Sequence, residues 1–478
     1  MALLSSAISG VKWSSFSQIG RQTLQLITTI VLARTLAPSD FGLMSMAMVV
    51  IGFLNIFRDL GTSSAIIQRK DISNKLLSSI FWVNVGFGVL VTLVVYFLAP
   101  IIAEFYNDLR LTLLLKVLSA TFLISSVGIS HQALLERNLE FSKLAWAEIA
   151  ATLLGASVGI GFAFAGAGVW SLVFQALSTA VISTLLLSFF LDSWRPSFLF
   201  DIPETRAVAR FSLNLSGFNI TNYFVRNADY LLIGKFLGAQ ELGYYSLAYR
   251  IMLYPLQNVT AVISRVMFPV YSRIRDENDK FRKGYLKVAG SIALITFPMM
   301  LGMIGVSDCF VSVFFGEKWR VVSLLLMIFS PIGLLQSIEA TTGTIYLAQS
   351  RTDWMFRWGM ATGIFSVICF VIGLRWGIVG VASSYMVGTI LLAYPGFLIP
   401  FKLINLKVVD LLRGVWRPFV CSVVMLIAVF CGHVLLEAHV SPSQLLAILL
   451  FIGLGTYAIN SSILNRADVQ NMLAYLRQ

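Results

Sequence analysis

Charge is what this 478-residue chain has least of: 12% of its residues are charged against 58% hydrophobic, and the mean hydropathy is +0.83. Water-soluble domains carry about 25% charged residues, so these values exclude an ordinary soluble fold. No hydrophilic connection exceeds about 20 residues, which leaves no place for a soluble catalytic domain. The four cysteines (Cys309, Cys369, Cys421, Cys431) lack the spacing of a metal site or a disulfide framework. His131, His433 and His439 are too scattered for a metal centre, and no cofactor is expected. The N-terminus lacks the charged region and small-residue cleavage site of a signal peptide, so the first apolar run is expected to be retained.

What the chain does have is a series of apolar runs of about 20 residues, each long enough to cross a ~30 Å hydrocarbon core. They predict an all-α polytopic membrane protein with about fourteen transmembrane helices. The expected spans are 12–33, 42–66, 78–102, 112–134, 144–165 and 168–191, then 211–234, 243–268, 285–306, 321–348, 354–374 and 377–400, and finally 415–436 and 443–464. With a cytoplasmic N-terminus, inward segments hold roughly 22 basic residues against about 6 outward. Arg69, Lys70 and Lys75, the Arg273–Lys283 group and Lys402, Lys407, Arg413 and Arg417 are among the inward ones. That asymmetry places both termini in the cytoplasm. The net charge of +12 is spread over many loops, which gives a nucleic-acid partner no basic patch. It suits an inner rim facing membrane lipids.

The stretches "RTLAPSDFGLMSMA" (Arg34–Ala47) and "KFLGAQELGYYSLA" (Lys235–Ala248) align at a constant offset of 201 positions. Arg34 meets Lys235, Asp40 meets Glu241, Gly42 meets Gly243 and Ser45 meets Ser246. Six spans separate the copies, an even number, so both face the same way. A parallel internal repeat follows, with two six-helix lobes and a cavity between them. The expected organisation is a lobe over 1–191, a cytoplasmic linker over 192–210, a lobe over 211–401, and two additional helices with a cytoplasmic tail over 402–478.

Polar stripes repeat with the turns. Ser14, Gln18, Arg21, Gln25 and Thr28 share one face of span 1, and Asn219, Asn222, Arg226 and Asp229 share one face of span 7. Span 8 adds Ser246, Arg250, Gln257, Thr260 and Ser264, and span 2 adds Asn55, Arg58 and Asp59. A charge at membrane depth costs about 2.5–3.5 kcal/mol on insertion scales, so it faces water or a partner. Arg21, Arg58, Arg226 and Arg250 outnumber Asp59 and Asp229, and an excess of guanidinium asks for an anion such as phosphate. The bland alternative is glue between helices, with Arg226 paired to Asp229. Glu148 and Glu339 are read as lone carboxylates, Glu148 snorkelling or bonded to backbone. Asp59, Asp229 and Glu339 are the coupling-ion candidates.

The segments "ISGVKWSS", "LARTLAPSDFGLMSMA", "DLGTSSAIIQRKDIS", "HQALLERNLEFSK", "RVMFPVYSRI" and "FGEKW" resemble the Wzx-type flippases of the MOP superfamily, closest to the colanic-acid exporter branch. The resemblance runs from about Ile8 to about Lys402. It implies a V-shaped, two-lobed transporter of the bacterial inner membrane, not an enzyme, moving undecaprenyl-pyrophosphate-linked oligosaccharide to the periplasmic leaflet by alternating access. Exopolysaccharide or lipopolysaccharide biosynthesis is the implied setting, with the polymerase machinery a further partner. Arginines of the first, second and eighth spans hold the pyrophosphate in related flippases, here Arg21, Arg58 and Arg250. The sugars would meet Gln18, Gln25, Asn219, Asn222 and Gln257. "HQALLERNLEF" and "FGEKW" fall in expected loops without an evident mechanism. A lipid II flippase shares this chemistry and stays open as an alternative. A MATE-like drug/cation antiporter would prefer an acidic cavity, and a polymerase or glycosyltransferase would need a large extramembrane loop.

Overall fold

A computed structural model describes residues 2–57, 62–68, 72–190, 194–198, 222–274 and 277–465. Among them every regular element is helical. The chain divides into two compact units, 1–243 and 244–478.

The first unit holds α1 (Ala2–Thr35), α2 (Pro38–Asn55), α3 (Thr62–Gln68), α4 (Asn74–Tyr106), α5 (Arg110–Arg137), α6 (Phe141–Phe164), α7 (Trp170–Phe190) and α8 (Ala228–Phe236). Helix boundaries follow local chemistry. Ahead of α2, Pro38 takes the first helical position and the Asp40 carboxylate accepts the Ala37 N–H at 3.0 Å. Ser73 Oγ caps α4 by accepting from Leu76 N at 3.1 Å, and Asn107, in the left-handed region at φ 57°, ends it. Tight packing comes from small residues: Gly155 and Gly159 of α6 face Thr179 and Gln175 of α7, where a Cβ on Gly159 would stand 2.8 Å from Gln175. Helix α1 lies on α6, and α5 packs on both α4 and α7. An apolar cluster of Ile66, Leu77, Phe81, Leu135, Leu144 and Trp194 closes one end.

The second unit holds most of α9 (Ala239–Arg273), then α10 (Asn278–Phe314), α11 (Arg320–Glu339), α12 (Thr342–Ala348), α13 (Thr352–Gly373), α14 (Gly377–Leu403), α15 (Val408–Leu436) and α16 (Pro442–Leu464). The last two helices are packed into this unit: α15 and α16 lie on α10, and Tyr457 OH donates to Leu294 O at 2.7 Å. Phe281, Tyr285, Phe397 and Phe401 form one core, and Val306, Met425, Val429 and Leu449 another.

Ten helical segments among the described residues are long and apolar enough to cross a membrane, and one of them, Thr352–Leu403, comprises both α13 and α14. Large apolar side chains such as Phe97, Ile101, Phe189, Leu391 and Phe451 point outward from these helices. Such a surface is stable against lipid and not against water. The protein is therefore a multi-pass membrane protein. Helices α1 and α9, of 34 and 35 residues, reach spanning length with polar stripes and stand outside the ten. Expected span 7 lies largely outside the described residues, so the count of fourteen is not reached among them.

Two expected spans are not continuous helices. Span 2 ends as α2 at Asn55, with α3 a separate short helix. Span 10 breaks between Glu339 and Thr342. There Thr341, Thr342 and Thr344 donate their hydroxyls to the carbonyls three residues back, at 2.6, 2.7 and 2.6 Å, competing with the helix ladder.

Candidate functional site

Polar side chains of α1, α2, α5, α6 and α7 line a cavity of about 340 Å³ inside the first unit. Arg21 enters it from α1. Its Nε lies 3.4 Å from Glu148 Oε2 of α6, and the buried Ser17 hydroxyl donates to the same carboxylate oxygen. Glu148 is thus no lone carboxylate, as the sequence reading had it, but the counter-ion of Arg21. The pair is not sealed, since the two side chains remain 39% and 32% exposed. The sequence did contain a signal for it: Glu148, Thr152, Gly155 and Gly159 repeat at four, three and four, marking a polar, small-residue face on span 5.

Along the α1 stripe, Gln18 is half-buried, Gln25 exposed, and Thr28 buried with its hydroxyl donating to Leu24 O at 2.7 Å. Asn55 of α2 and Gln132 of α5 join Arg21 and Glu148 on the cavity wall. Asn222 and Arg226 lie on the helical residues 222–226 and are exposed. Between them Tyr223 fastens this segment to α2, its hydroxyl donating to Val49 O at 2.7 Å over the space left by Gly52. The pairing of Arg226 with Asp229, the bland alternative, is not among the ion pairs of the described residues. A turn at Asn227 interrupts the helix, Asp229 is buried at 3% exposure, and its carboxylate accepts the Tyr230 N–H at 2.9 Å. Arg58, Asp59 and Asn219 lie outside the described residues.

In the second unit Arg250 and Gln257 of α9 are exposed. The side chains of Thr260 and Ser264 lie outside the described residues. Glu339 is half-buried at the break after α11, where a Cβ on Gly396 of α14 would stand 2.9 Å from its Oε1. Among the described residues Glu339 has no ion-pair partner.

Two motifs gain a physical role. "HQALLER" is the last part of α5 rather than a loop, and Arg137 Nη1 donates to Ile66 O of α3 at 2.9 Å. One motif therefore holds another, "TSSAIIQ", in place. In "FGEKW", Gly316 takes φ 90°, Glu317 accepts the Ser312 hydroxyl at 3.0 Å, and Trp319 is fully buried edge-on against Tyr244. It is a turn anchored by an aromatic plug.

Residues 31–324 match the family model described as polysaccharide biosynthesis protein. The lipopolysaccharide biosynthesis protein WzxC of Escherichia coli (strain K12) is 30% identical over 92% of this chain and 90% of its own. The teichuronic acid biosynthesis protein TuaB of Bacillus subtilis (strain 168) is 28% identical over 88% of each. Among solved structures, the lipid II flippase MurJ in an inward closed conformation covers 96% of this chain and 100% of its own with a TM-score of 0.76, at 17% identity. At that identity the likeness is one of fold. The model match spans more than half of the chain and the identity with WzxC runs along nearly all of it, and on both grounds the chain belongs to the family of polysaccharide biosynthesis proteins.

Proposed function

We propose that the chain is a flippase that carries undecaprenyl-pyrophosphate-linked oligosaccharide from the cytoplasmic to the periplasmic leaflet of the bacterial inner membrane, by alternating access. Two lobes, 1–191 and 211–401, built on the internal repeat, would do the rocking, and both termini would be cytoplasmic. The observation that carries the reading is an excess of guanidinium on apolar helices. Arg226 and Arg250 are exposed and have no acid partner among the described residues. A pyrophosphate with about two negative charges could replace its water shell there with charge-assisted hydrogen bonds. Arg21 joins them by exchanging part of its contact with Glu148 for a phosphate oxygen, and Arg58 completes the set. Gln18, Gln25, Asn219, Asn222 and Gln257 would meet sugars, and the polymerase machinery would receive the product.

The test is export. Arg226→Ala and Arg250→Ala should each reduce polysaccharide output at least tenfold at unchanged protein level, and the Lys variants should keep part of it because charge survives while the planar fork is lost. Normal output from the double Ala variant would refute the anion site.

A further inference from the structure

The cavity of the first unit has a wall rich in hydrogen-bond acceptors. Thr121, Thr152, Thr179 and Thr184 all donate their hydroxyl hydrogens to backbone carbonyls, those of Leu118, Glu148, Gln175 and Ile124, at 2.6, 2.7, 2.8 and 3.1 Å. Each donor is thereby spent, and each oxygen keeps lone pairs for another partner. Gln132 Nε2 donates to Glu136 Oε1 at 2.8 Å, which leaves the Gln132 carbonyl oxygen as a further acceptor. Glu148 Oε2 already accepts from Ser17 and adds a further acceptor to the wall. Beside these acceptors stand donors: the Asn55 amide, the Ser125 and Ser183 hydroxyls, and Arg21, whose Nε is buried and among the described residues has no hydrogen-bond partner, only the ion pair at 3.4 Å.

A phosphate, which brings only acceptors, would leave the threonine, Gln132 and Glu148 oxygens of this wall unmatched. A ligand with several hydroxyls, each able both to donate and to accept, matches both sets, and a sugar ring is that ligand. A volume of about 340 Å³ is at the small end of small-molecule sites, which suits a single ring better than a chain. We propose that this cavity is the subsite for the first sugar of the cargo, with Arg21 at the seam between that sugar and the pyrophosphate. The assignment rests on the lipid-linked cargo proposed above and adds where, and by which acceptors, its glycan is held. It also gives Glu148 a positioning role, orienting Arg21 while accepting from the ring.

The experiment uses the full-length protein in lipid nanodiscs. Its probes are undecaprenyl pyrophosphate, bare or carrying one glucose, galactose or N-acetylglucosamine. At least one glycosylated probe should bind about tenfold more tightly than the bare lipid, the worth of one or two net hydrogen bonds. Thr152→Val/Thr179→Val removes two acceptors at nearly constant volume, and Ser183→Leu fills space. Each should bring that ratio close to one while the bare lipid still binds as before, which also reports that the variants are folded. Equal binding of all probes to the unmodified protein, or a sugar preference that survives both variants, would overturn the subsite. Failure of every lipid to bind would instead overturn the cargo assignment beneath it.

Discussion

Gly42 and Gly243, equivalent in the internal repeat, stand face to face in the first unit. A Cβ on Gly42 would overlap the carbonyl oxygen of Ala239, and a Cβ on Gly243 that of Pro38. Pro38 and Ala239 are themselves equivalent at the 201-residue offset. The same Gly243 Cβ would lie 3.2 Å from Gly42 N. Each turn thus receives its counterpart in the way the counterpart receives it, as two copies related by a rotation do. This reciprocity supports the parallel repeat and explains why glycine recurs at that register.

A first prediction follows from the sign of a glycine substitution. In an open helical position Gly→Ala gains up to about 1 kcal/mol. At Gly42 or Gly243 the overlap is with backbone, which cannot swing away, and the expected loss is about 1–3 kcal/mol or more. Thermal unfolding in detergent should show lower midpoints for Gly42→Ala and Gly243→Ala. Gly86→Ala and Gly161→Ala, where a Cβ meets nothing within 4 Å, should be neutral or stabilising. Equal midpoints for all four would contradict the close approach.

The repeat was legible as sequence because apolar helices tolerate few charges, so a recurring Arg/Lys, acid and glycine stand out. The contact between the copies was not, since an offset says nothing about which surfaces meet. Spans were legible from apolar runs of bilayer length. The breaks after Asn55 and Glu339 were not, because Thr341, Thr342 and Thr344 fit an apolar run, and the hydroxyl bonds that compete with the ladder there are visible only in three dimensions. The polar face of α1 was read from its spacing, yet the Arg21–Glu148 pair joins residues 127 positions apart, beyond the reach of local periodicity.

Arg137 offers a second prediction. A hydrogen bond from a charged donor is worth about 1.5–3 kcal/mol, and here the acceptor is a carbonyl in the last turn of α3 that its own helix leaves open. Arg137→Ala should speed amide exchange in residues 62–68 while leaving α4 protected. Unchanged exchange in α3 would remove the proposed link between the two motifs.

Acid sensitivity gives a third. In the turn between α4 and α5, hydrogen bonds from Arg110 at 2.7 and 3.0 Å hold the Asp108 carboxyl below its usual range. A depressed folded-state value stabilises above the unfolded value of about 3.9 and is lost as pH falls through the folded one. Asp108→Asn should therefore lower the unfolding midpoint slightly at neutral pH and flatten its decline below about pH 4. An identical acid profile in the variant would show the pair to be energetically silent.

Topology is tested by reporter fusions. The basic-residue asymmetry predicts that a reporter joined after Glu437 is periplasmic and one joined after Arg466 cytoplasmic. The reverse pattern would invert the orientation on which the direction of transport rests.

The last prediction concerns energy coupling. Asp59, Asp229 and Glu339 are the acids expected deepest in the membrane, and each could serve merely to neutralise an arginine. For Glu339 the structure removes that alternative among the described residues, where no cation pairs with it. Its carboxylate lies instead against Gly396, with the Trp358 ring 3.7 Å from the same Cβ position, at the point where α11 gives way to α12. A carboxylate held at such depth without a cation of its own is costly unless a proton or metal cation from solution joins it. The break in the helix gives that event a structural outlet, because occupancy can bias how the hydroxyl-bonded turn at Thr341 and Thr342 is closed. Glu339→Gln, which keeps size and hydrogen bonding but not charge, should make flux in vesicles independent of an imposed proton or sodium gradient while basal flux persists. Asp229, whose carboxylate already accepts from its neighbour's backbone, should show a smaller loss of gradient response as Asn. A full gradient response in Glu339→Gln vesicles would leave this acid structural and shift the coupling site to Asp59 or Asp229.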